Sequence, residues 1–279
     1  MTSLIQEIDR KVVRSGTLAI WWIGQEGFVV KTPHLIAYID PYLSQWAERI
    51  TQGKANEHVR ITPAPFRPED VNHADVVLCT HDHGDHIDPD GIPLIAQHSR
   101  QAAFVVPECA RDTLRKLGIS DDRIYTLRGD DALDVKGLRV HAVPAKHEAF
   151  DEDPDKGYPY LSYVIKAEGR TLFHAGDTIP YPGQAERVFP HGVDVAFLPI
   201  NGRDEFRHSL AFEGNFTCEE AAGFALAIKA GLTIPMHYDM FTLNTADVGD
   251  FARIAAHRKL PFHIMQCGDC LRFPMEDTP

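Results

Sequence analysis

Apolar residues occur in short runs along the chain, and most runs have the length and composition of buried strands. The earliest runs are separated by glycine and proline, which indicates a meander. These predicted strands are Leu18–Ile23, Phe28–Lys31 and Leu35–Ile39. Ahead of them, apolar residues at helical spacing from Leu4 to Val12 predict a short helix that ends at Gly16. Residues 44–70 carry charges and prolines without a sustained period, which predicts a long surface loop.

From Val76 onward, strand and helix patterns alternate. The predicted helices are Ile92–Gln97, Glu108–Leu117, a helix opened by a Thr217/Glu220 capping box and closed by Gly231, and Val248–Ala256. The predicted strands are Val76–Cys79, Phe104–Val106, Ile124–Leu127, Leu138–Val143, Leu161–Ala167, Thr171–His174, Val193–Leu198, Thr233–Met236, Phe262–Met265 and Leu271–Phe273. Two facing sheets with helices on both outer surfaces would bury all these apolar faces. We therefore expect an α/β fold, a four-layer αββα sandwich, in one domain over residues 1–279.

Composition and charge narrow the classes of partner. The formal charge of −12, without a concentrated basic run, disfavours nucleic acid. No apolar segment approaches the roughly 20 residues of a membrane span, and the first residues are too charged for a signal peptide. An odd number of cysteines, five, favours reduced thiols, and the Cys267/Cys270 pair lacks the second pair of a zinc ribbon. We expect a cytoplasmic homo-oligomer that acts on a small molecule.

The strongest chemical signal is the segment HDHGDH at residues 81–86, directly after the predicted strand Val76–Cys79. Imidazole nitrogens and carboxylate oxygens suit a divalent ion, and a loop at a strand end can turn several of them inward. Gly84 is expected to let this loop bend tightly. The alternative is a solvated histidine-rich loop, which is disfavoured because the chain supplies complementary ligands elsewhere.

Three further candidate ligands also stand just past predicted strands: His147, Asp177 and His237. In a layered α/β protein, loops at the same edge of the strands converge on one site, so separate strand-end donors are more specific than any single histidine. The remaining histidines, His58 and His174 among them, show no pattern that singles them out.

The segment HDHGDH matches the HxHxDH signature of the metallo-β-lactamase superfamily, and the later ligands follow in that family's order. The chain resembles this superfamily over nearly its whole length, which implies its fold and one or two divalent ions. By this resemblance the first metal is held by His81, His83 and His147, the second by Asp85, His86 and His237, and Asp177 bridges both. Asp40 resembles the family's early aspartate and is expected to support a ligand histidine from behind.

Five further segments narrow the resemblance: WIGQEGF at 22–28, DPYLS at 40–44, INGRD at 200–204, GN at 214–215 and PMHYDMF at 235–241. Together they resemble the UlaG-type L-ascorbate-6-phosphate lactonases. The implied reaction is opening of a small, phosphorylated sugar-acid lactone such as L-ascorbate 6-phosphate. Hydroxide from a metal-bound water, whose pKa falls towards about 7, would attack the carbonyl. Asp85 or Asp177 would orient it as catalytic residues.

Mixed nitrogen and oxygen ligands suit Zn²⁺, Mn²⁺ or Fe²⁺, and the resemblance favours Mn²⁺. For a substrate phosphate, Arg203 and Arg207 are the natural donors, and an ordinary surface ion pair is the alternative for each. Nearby polar candidates for substrate binding are Asn201, His208 and Tyr238.

Two other functions remain open at this point. The same metal pair would serve a phosphodiesterase or nuclease, although the negative net charge of the chain disfavours long nucleic acids as substrates. A non-catalytic metal-binding protein would need a site without an open coordination position.

Overall fold

The apolar runs of the sequence build two β-sheets, seen in a computed structural model that describes residues 3–147 and 149–275. In chain order the strands are β1 (Leu18–Gly24), β2 (Gly27–Lys31), β3 (Ile36–Ile39), β4 (Val76–Leu78), β5 (Ala103–Pro107), β6 (Ile124–Leu127), β7 (Ala132–Val135), β8 (Leu138–Pro144), β9 (Leu161–Ala167), β10 (Arg170–His174), β11 (Val195–Pro199), β12 (Leu232–Met236) and β13 (Cys270–Phe273). The first sheet has the order β13-β1-β2-β3-β4-β5-β6 and the second the order β12-β11-β10-β9-β8-β7. Each sheet joins an antiparallel meander to parallel strands.

Helices cover the outer surface of each sheet. They are α1 (Leu4–Arg10), α2 (Trp46–Thr51), α3 (Gly91–His98), α4 (Arg111–Lys116), α5 (Gln184–Val188), α6 (Glu205–Ser209), α7 (Cys218–Ala227) and α8 (Val248–His257). Apolar residues of α1, α3 and α4 pack on the first sheet, and those of α7 and α8 join the core of the second. This layering confirms the predicted αββα sandwich. No described helix combines the length and apolarity needed to cross a membrane.

Strand β1 shows why the strand runs are apolar without interruption. Ile20 and Trp22 face the core between the sheets, whereas Trp21 and Ile23 face the core beneath α1, α3 and α4. A strand covered on both faces needs apolar residues at every position. Across the inner core, the rings of Phe28 on β2 and Phe197 on β11 lie 4.2 Å apart between centroids.

The parallel strands of the two sheets end at one edge of the molecule. β3 runs parallel to β4, and β10 and β11 run parallel to each other and to β12. Asp40 directly follows β3, Thr80 comes two residues after β4, and His237 directly follows β12. The segments that carry the candidate ligands therefore leave the sheets together.

Several predicted elements differ from the structure. The first helix ends at Arg10, and Val12 is 87% exposed because the chain has already left the core. The predicted loop at 44–70 contains α2, and the edge strand β7 and the short helices α5 and α6 had no clear period. The predicted strand Phe262–Met265 does not form, since this segment makes only one isolated bridge, from Phe262 to Thr233.

We predict that Phe197→Ala destabilises the protein by about 3–5 kcal/mol, because it removes a buried ring that joins the two sheets and leaves a cavity. Urea unfolding followed by fluorescence and circular dichroism measures the effect. The matched control is Phe206→Ala, at a position 63% exposed, where we expect a change within about 0.5 kcal/mol. Equal effects of the two substitutions would contradict the assignment of Phe197 to the central core.

Candidate metal centre

The histidine-rich loop after β4 packs so closely that its glycine is required for space. A Cβ atom on Gly84 would lie 2.0 Å from Cζ3 of Trp46 on α2. The backbone of Gly84 does not have a positive φ, so close packing, and not the tight bend expected from the sequence, explains the glycine. The contact fixes the loop against α2 and holds the neighbouring ligands in place.

The candidate ligands from separate strand ends come together in two groups. The first ligand group is His81, His83, His147 and Asp177, and the second is Asp85, His86 and His237; within each group, one donor atom per residue lies within 4.8 Å of the others. The structure thus brings together every metal ligand proposed from the sequence.

Asp177 lies between the two groups. Its Oδ2 is 3.4 Å from His147 Nε2 and 3.7 Å from His86 Nε2. Its Oδ1 is 3.5 Å from His237 Nε2. One carboxylate therefore faces ligands of both groups, the arrangement expected of a bridging ligand.

Unpaired buried atoms provide a test of whether these residues fit a metal ion. The Nε2 atoms of His81 and His86 are buried and have no hydrogen-bond partner among the described residues. A buried polar atom left in this way costs about 1–3 kcal/mol, so such atoms are expected to have a partner. Inward-facing imidazole nitrogens beside carboxylates form a donor set that fits Zn²⁺, Mn²⁺ or Fe²⁺.

Burial and neighbouring charges set the protonation of the ligands. Burial lowers the pKa of His81 and His237, which favours neutral rings with a free lone pair. Against the effect of burial, Asp40 and Asp177 raise the pKa of His86. Asp177 and Glu213 raise the pKa of His147 in the same way, so a metal ion that binds at these rings displaces protons. Burial alone would raise the pKa of Asp177, but the adjacent His237 and His86 hold it well below its usual value. The central carboxylate is therefore ionised at neutral pH.

Asp40 supports the cluster from behind. Its Oδ2 lies 3.0 Å from His86 Nδ1, and its two oxygens accept hydrogen bonds from the backbone N–H and the hydroxyl of Thr80. Asp40 is fully buried and has a φ of 41°, in the left-handed region. Because Nδ1 of His86 is engaged by Asp40, Nε2 is left to face the other ligands.

The segment before α7 supplies contacts that sequence reasoning missed. Asn215 Nδ2 donates to Asp177 Oδ1 at 3.0 Å, and His147 Nδ1 lies 3.2 Å from the carbonyl oxygen of Gly214. Glu213 Oε2 is 2.9 Å from His147 Nε2 and 3.6 Å from His83 Nε2. The only signal for these contacts in the sequence was the adjacent Gly214-Asn215 pair. No feature of the sequence predicted that Glu213 points towards the ligands.

The turn between β1 and β2 supplies two more buried polar residues that the sequence reasoning did not assign. Gln25 Nε2 lies 3.0 Å from Asp85 Oδ2 and 3.2 Å from His237 Nε2. Both carboxylate oxygens of Glu26 lack a hydrogen-bond partner among the described residues, and burial raises its pKa well above the usual value. The available signal was a polar pair enclosed by Gly24 and Gly27 between two apolar strands.

A cavity of about 330 Å³ opens beside the ligands. Its wall combines ligand residues with apolar and polar side chains from α2 and the segment before α7. The lining residues are Trp46, Ala47, Ile50, Thr51, His58, Asp82, His83, Gly84, Asp85, His147, Asp177, Ala211, Phe212, Glu213 and Asn244. Within the described part of the chain, no lysine or arginine belongs to this wall.

The two arginines proposed to bind phosphate pair with carboxylates. Arg203 lies 2.6 Å from Glu220 Oε1, and Arg207 Nε lies 2.6 Å from Asp204 Oδ2. Neither side chain lines the cavity at the ligands, but Arg203 lines a neighbouring cavity of about 380 Å³ that shares Phe212 with it. This arrangement agrees with the alternative interpretation, an ion pair for each arginine.

The other proposed substrate contacts also lie outside that cavity wall. Tyr238 is buried against Trp22, and its hydroxyl donates to the carbonyl of Met265 at 2.6 Å. His208 lines a neighbouring cavity of about 380 Å³. Asn201 contacts the cavity wall without lining the cavity itself: its Nδ2 donates to Oδ1 of Asn244 at 2.8 Å, and Asn244 lines the cavity.

Comparison with known proteins agrees with the fold and the ligand cluster. Residues 37–238 match the family described as the beta-lactamase superfamily domain. A curated relative from Escherichia coli, "Probable L-ascorbate-6-phosphate lactonase UlaG", is 25% identical, with 88% of this chain and 76% of that protein covered.

Two solved structures share the fold. Igni18, a metallo hydrolase from Ignicoccus hospitalis, has a TM-score of 0.66 and 22% identity, with 93% of this chain and 100% of that chain covered. The metallo-beta-lactamase fold protein YhfI from Bacillus subtilis has a TM-score of 0.64 and 14% identity, with 92% and 99% covered. The family match and the converging ligands show that this chain belongs to the metallo-β-lactamase superfamily and is a metal-dependent hydrolase of that fold.

Proposed function

We propose that this hydrolase is a lactonase that opens a small sugar-acid lactone. The observation that carries the proposal is the cavity of about 330 Å³ that opens directly onto both ligand groups, a volume suited to a small molecule. The similarity to a curated lactonase over 88% of the chain supports the same reaction class.

The residues of the cavity suit a small cyclic ester. Divalent ions, when bound, supply a water of lowered pKa and polarise a carbonyl oxygen. Trp46 and Phe212 offer apolar surface for the carbon face of a sugar ring, while Asn244 and His58 offer hydrogen bonds to its hydroxyl groups.

Two carboxylates border both the ligands and the cavity, Asp85 and Asp177. Each can accept a hydrogen bond from an attacking water. Asp177 is also held by Asn215 Nδ2, so its orientation is fixed before substrate enters.

The charge of the cavity bears on the phosphate of the substrate. The lining side chains of the described residues include several carboxylates and no lysine or arginine. A phosphate group bound there would meet repulsion from Asp82 and Glu213, so we propose that the lactone need not be phosphorylated.

We predict that the purified protein, loaded with Mn²⁺ or Zn²⁺, opens sugar lactones in a panel assayed by acid release. Because the cavity wall lacks cations, we expect kcat/KM for a phosphorylated lactone to exceed that of its parent by less than about tenfold. Phosphodiester cleavage without activity on any lactone would reject the proposal in favour of a phosphodiesterase. Absence of all turnover in the loaded protein would favour a metal-binding protein.

We predict that His83→Ala and Asp85→Ala each abolish lactone turnover, because each removes a donor that also lines the cavity. Both residues lie on the loop after β4, outside the core clusters, so unfolding of the metal-free variants should match the parent within about 0.5 kcal/mol. His98→Ala, at an exposed position on α3, is the control and should retain full activity. Wild-type turnover with unaltered metal content in either loop variant would contradict the assignment.

Asp40 positions a ligand without contacting the cavity. We predict that Asp40→Asn weakens metal binding by about 10–100-fold, because His86 Nδ1 loses its charged acceptor. Competition with a chelator measures the dissociation constants. Asp9→Asn is the matched control, because Asp9 Oδ1 also lies 3.0 Å from a histidine Nδ1, that of His73, far from the ligands. Equal metal affinity in both variants would show that Asp40 does not act on the centre.

A further inference from the structure

Gln25 occupies an unusual position in the turn between β1 and β2. Its backbone has a φ of 52°, in the left-handed region, and its side chain is fully buried. The carbonyl oxygen of Gln25 accepts hydrogen bonds from Trp22 Nε1 and from the backbone N–H of His237, both at 3.0 Å. The turn is thus fixed directly against a residue of the second ligand group.

The side-chain amide of Gln25 reaches between two ligand atoms. One terminal atom, placed as Nε2, lies 3.0 Å from Asp85 Oδ2 and 3.2 Å from His237 Nε2. Donors bound to one ion at about 2.1 Å are separated by about 3.0–3.4 Å in octahedral or tetrahedral coordination. The terminal atom of Gln25 therefore lies where an additional ligand of the same ion would lie.

The amide can present either of its two terminal atoms at that position. A 180° rotation of a glutamine amide exchanges the positions of its nitrogen and its oxygen. Which atom occupies which position is assigned from the surrounding hydrogen bonds. When His237 Nε2 donates its lone pair to a metal, it can no longer accept a hydrogen bond from the amide N–H. The oxygen of Gln25, which is buried without a partner among the described residues, is then the favoured atom at this position.

We propose that Gln25 is an additional ligand of the metal held by the second ligand group, through its side-chain oxygen. The neighbouring Glu26 also has a carboxylate oxygen within 4.8 Å of donor atoms of Asp177 and His237, but that group does not include Asp85. The terminal amide of Gln25, in contrast, reaches both Asp85 and His237. A neutral oxygen beside Asp85 makes the second position richer in oxygen than the first, which favours Mn²⁺ or Fe²⁺ there. This inference rests on the metal centre and is independent of the lactone substrate.

The test titrates the metal-free full chain with Mn²⁺ and follows free and bound Mn²⁺ by electron paramagnetic resonance. We expect two bound ions in the parent protein. In Gln25→Leu we expect one of the two ions to lose at least about tenfold in affinity while the other is unchanged. Gln25→Asn, which keeps the amide but is one methylene shorter, should behave like Gln25→Leu and replaces it if the leucine variant does not fold.

Gln25→Glu distinguishes ligation from hydrogen bonding, because it keeps an oxygen and loses the amide proton donor. Retention of both ions in Gln25→Glu supports ligation; loss of the second ion there, as in Gln25→Leu, would show that the amide only donates to Asp85. Ser99→Ala is the control for loss of a buried polar side chain, since the hydroxyl of Ser99 donates to the carbonyl of Val71 and contacts no ligand, and this variant should keep both ions. The proposal is overturned if Gln25→Leu binds both ions as the parent does, or if the parent binds only one.

Discussion

Strands that are covered on both faces have little room for ionisable side chains, and the metal ligands lie beyond the strand ends. β4 and β12 are buried at every position, and burying a charged side chain inside them without a partner would cost several kcal/mol. Because β3 is parallel to β4 and β11 is parallel to β12, these ends lie at the same edge of the molecule. The place of the metal centre follows from how the strands are buried.

Hydrogen bonds to the buried Nδ1 atoms orient the imidazole rings of the ligands. His86 Nδ1 is engaged by Asp40, His147 Nδ1 by the carbonyl of Gly214, and His81 Nδ1 by the hydroxyl of Thr80. In each ring the Nδ1 contact leaves Nε2 to face the centre. These supports come from different loops, so the ring directions depend on the packing of the whole strand edge and not on the HDHGDH segment alone.

The sequence predicts what depends on local pattern and leaves open what depends on contacts across the fold. The apolar runs predict two sheets with helices outside them, and the resemblance carried by the HDHGDH segment supports the αββα layers. The candidate ligands are recognisable because each stands just past an apolar run. The local pattern does not explain Gly84, because its neighbour is Trp46 on α2, in a segment that the sequence predicts to be a loop. Tertiary contacts also decide where three other side chains point, and no periodic pattern in the sequence predicts these directions. Gln25 and Glu213 point towards the ligands, and Arg203 points towards Glu220.

The negative charge of the buried ligand carboxylates couples metal binding to folding. For Asp40, Asp85 and Asp177, every ion pair in the described part of the chain is with a histidine, and none is with lysine or arginine. Burial lowers the pKa of His81 and His237, so these two rings do not readily balance the carboxylates by protonation. Without a cation the balance comes from His86 and His147, whose pKa the neighbouring carboxylates raise against the effect of burial. A divalent cation balances them without protonating the rings, and it binds only where the strand ends have converged. Metal binding therefore stabilises the folded state by mass action, through the same groups that are unfavourable to bury in its absence.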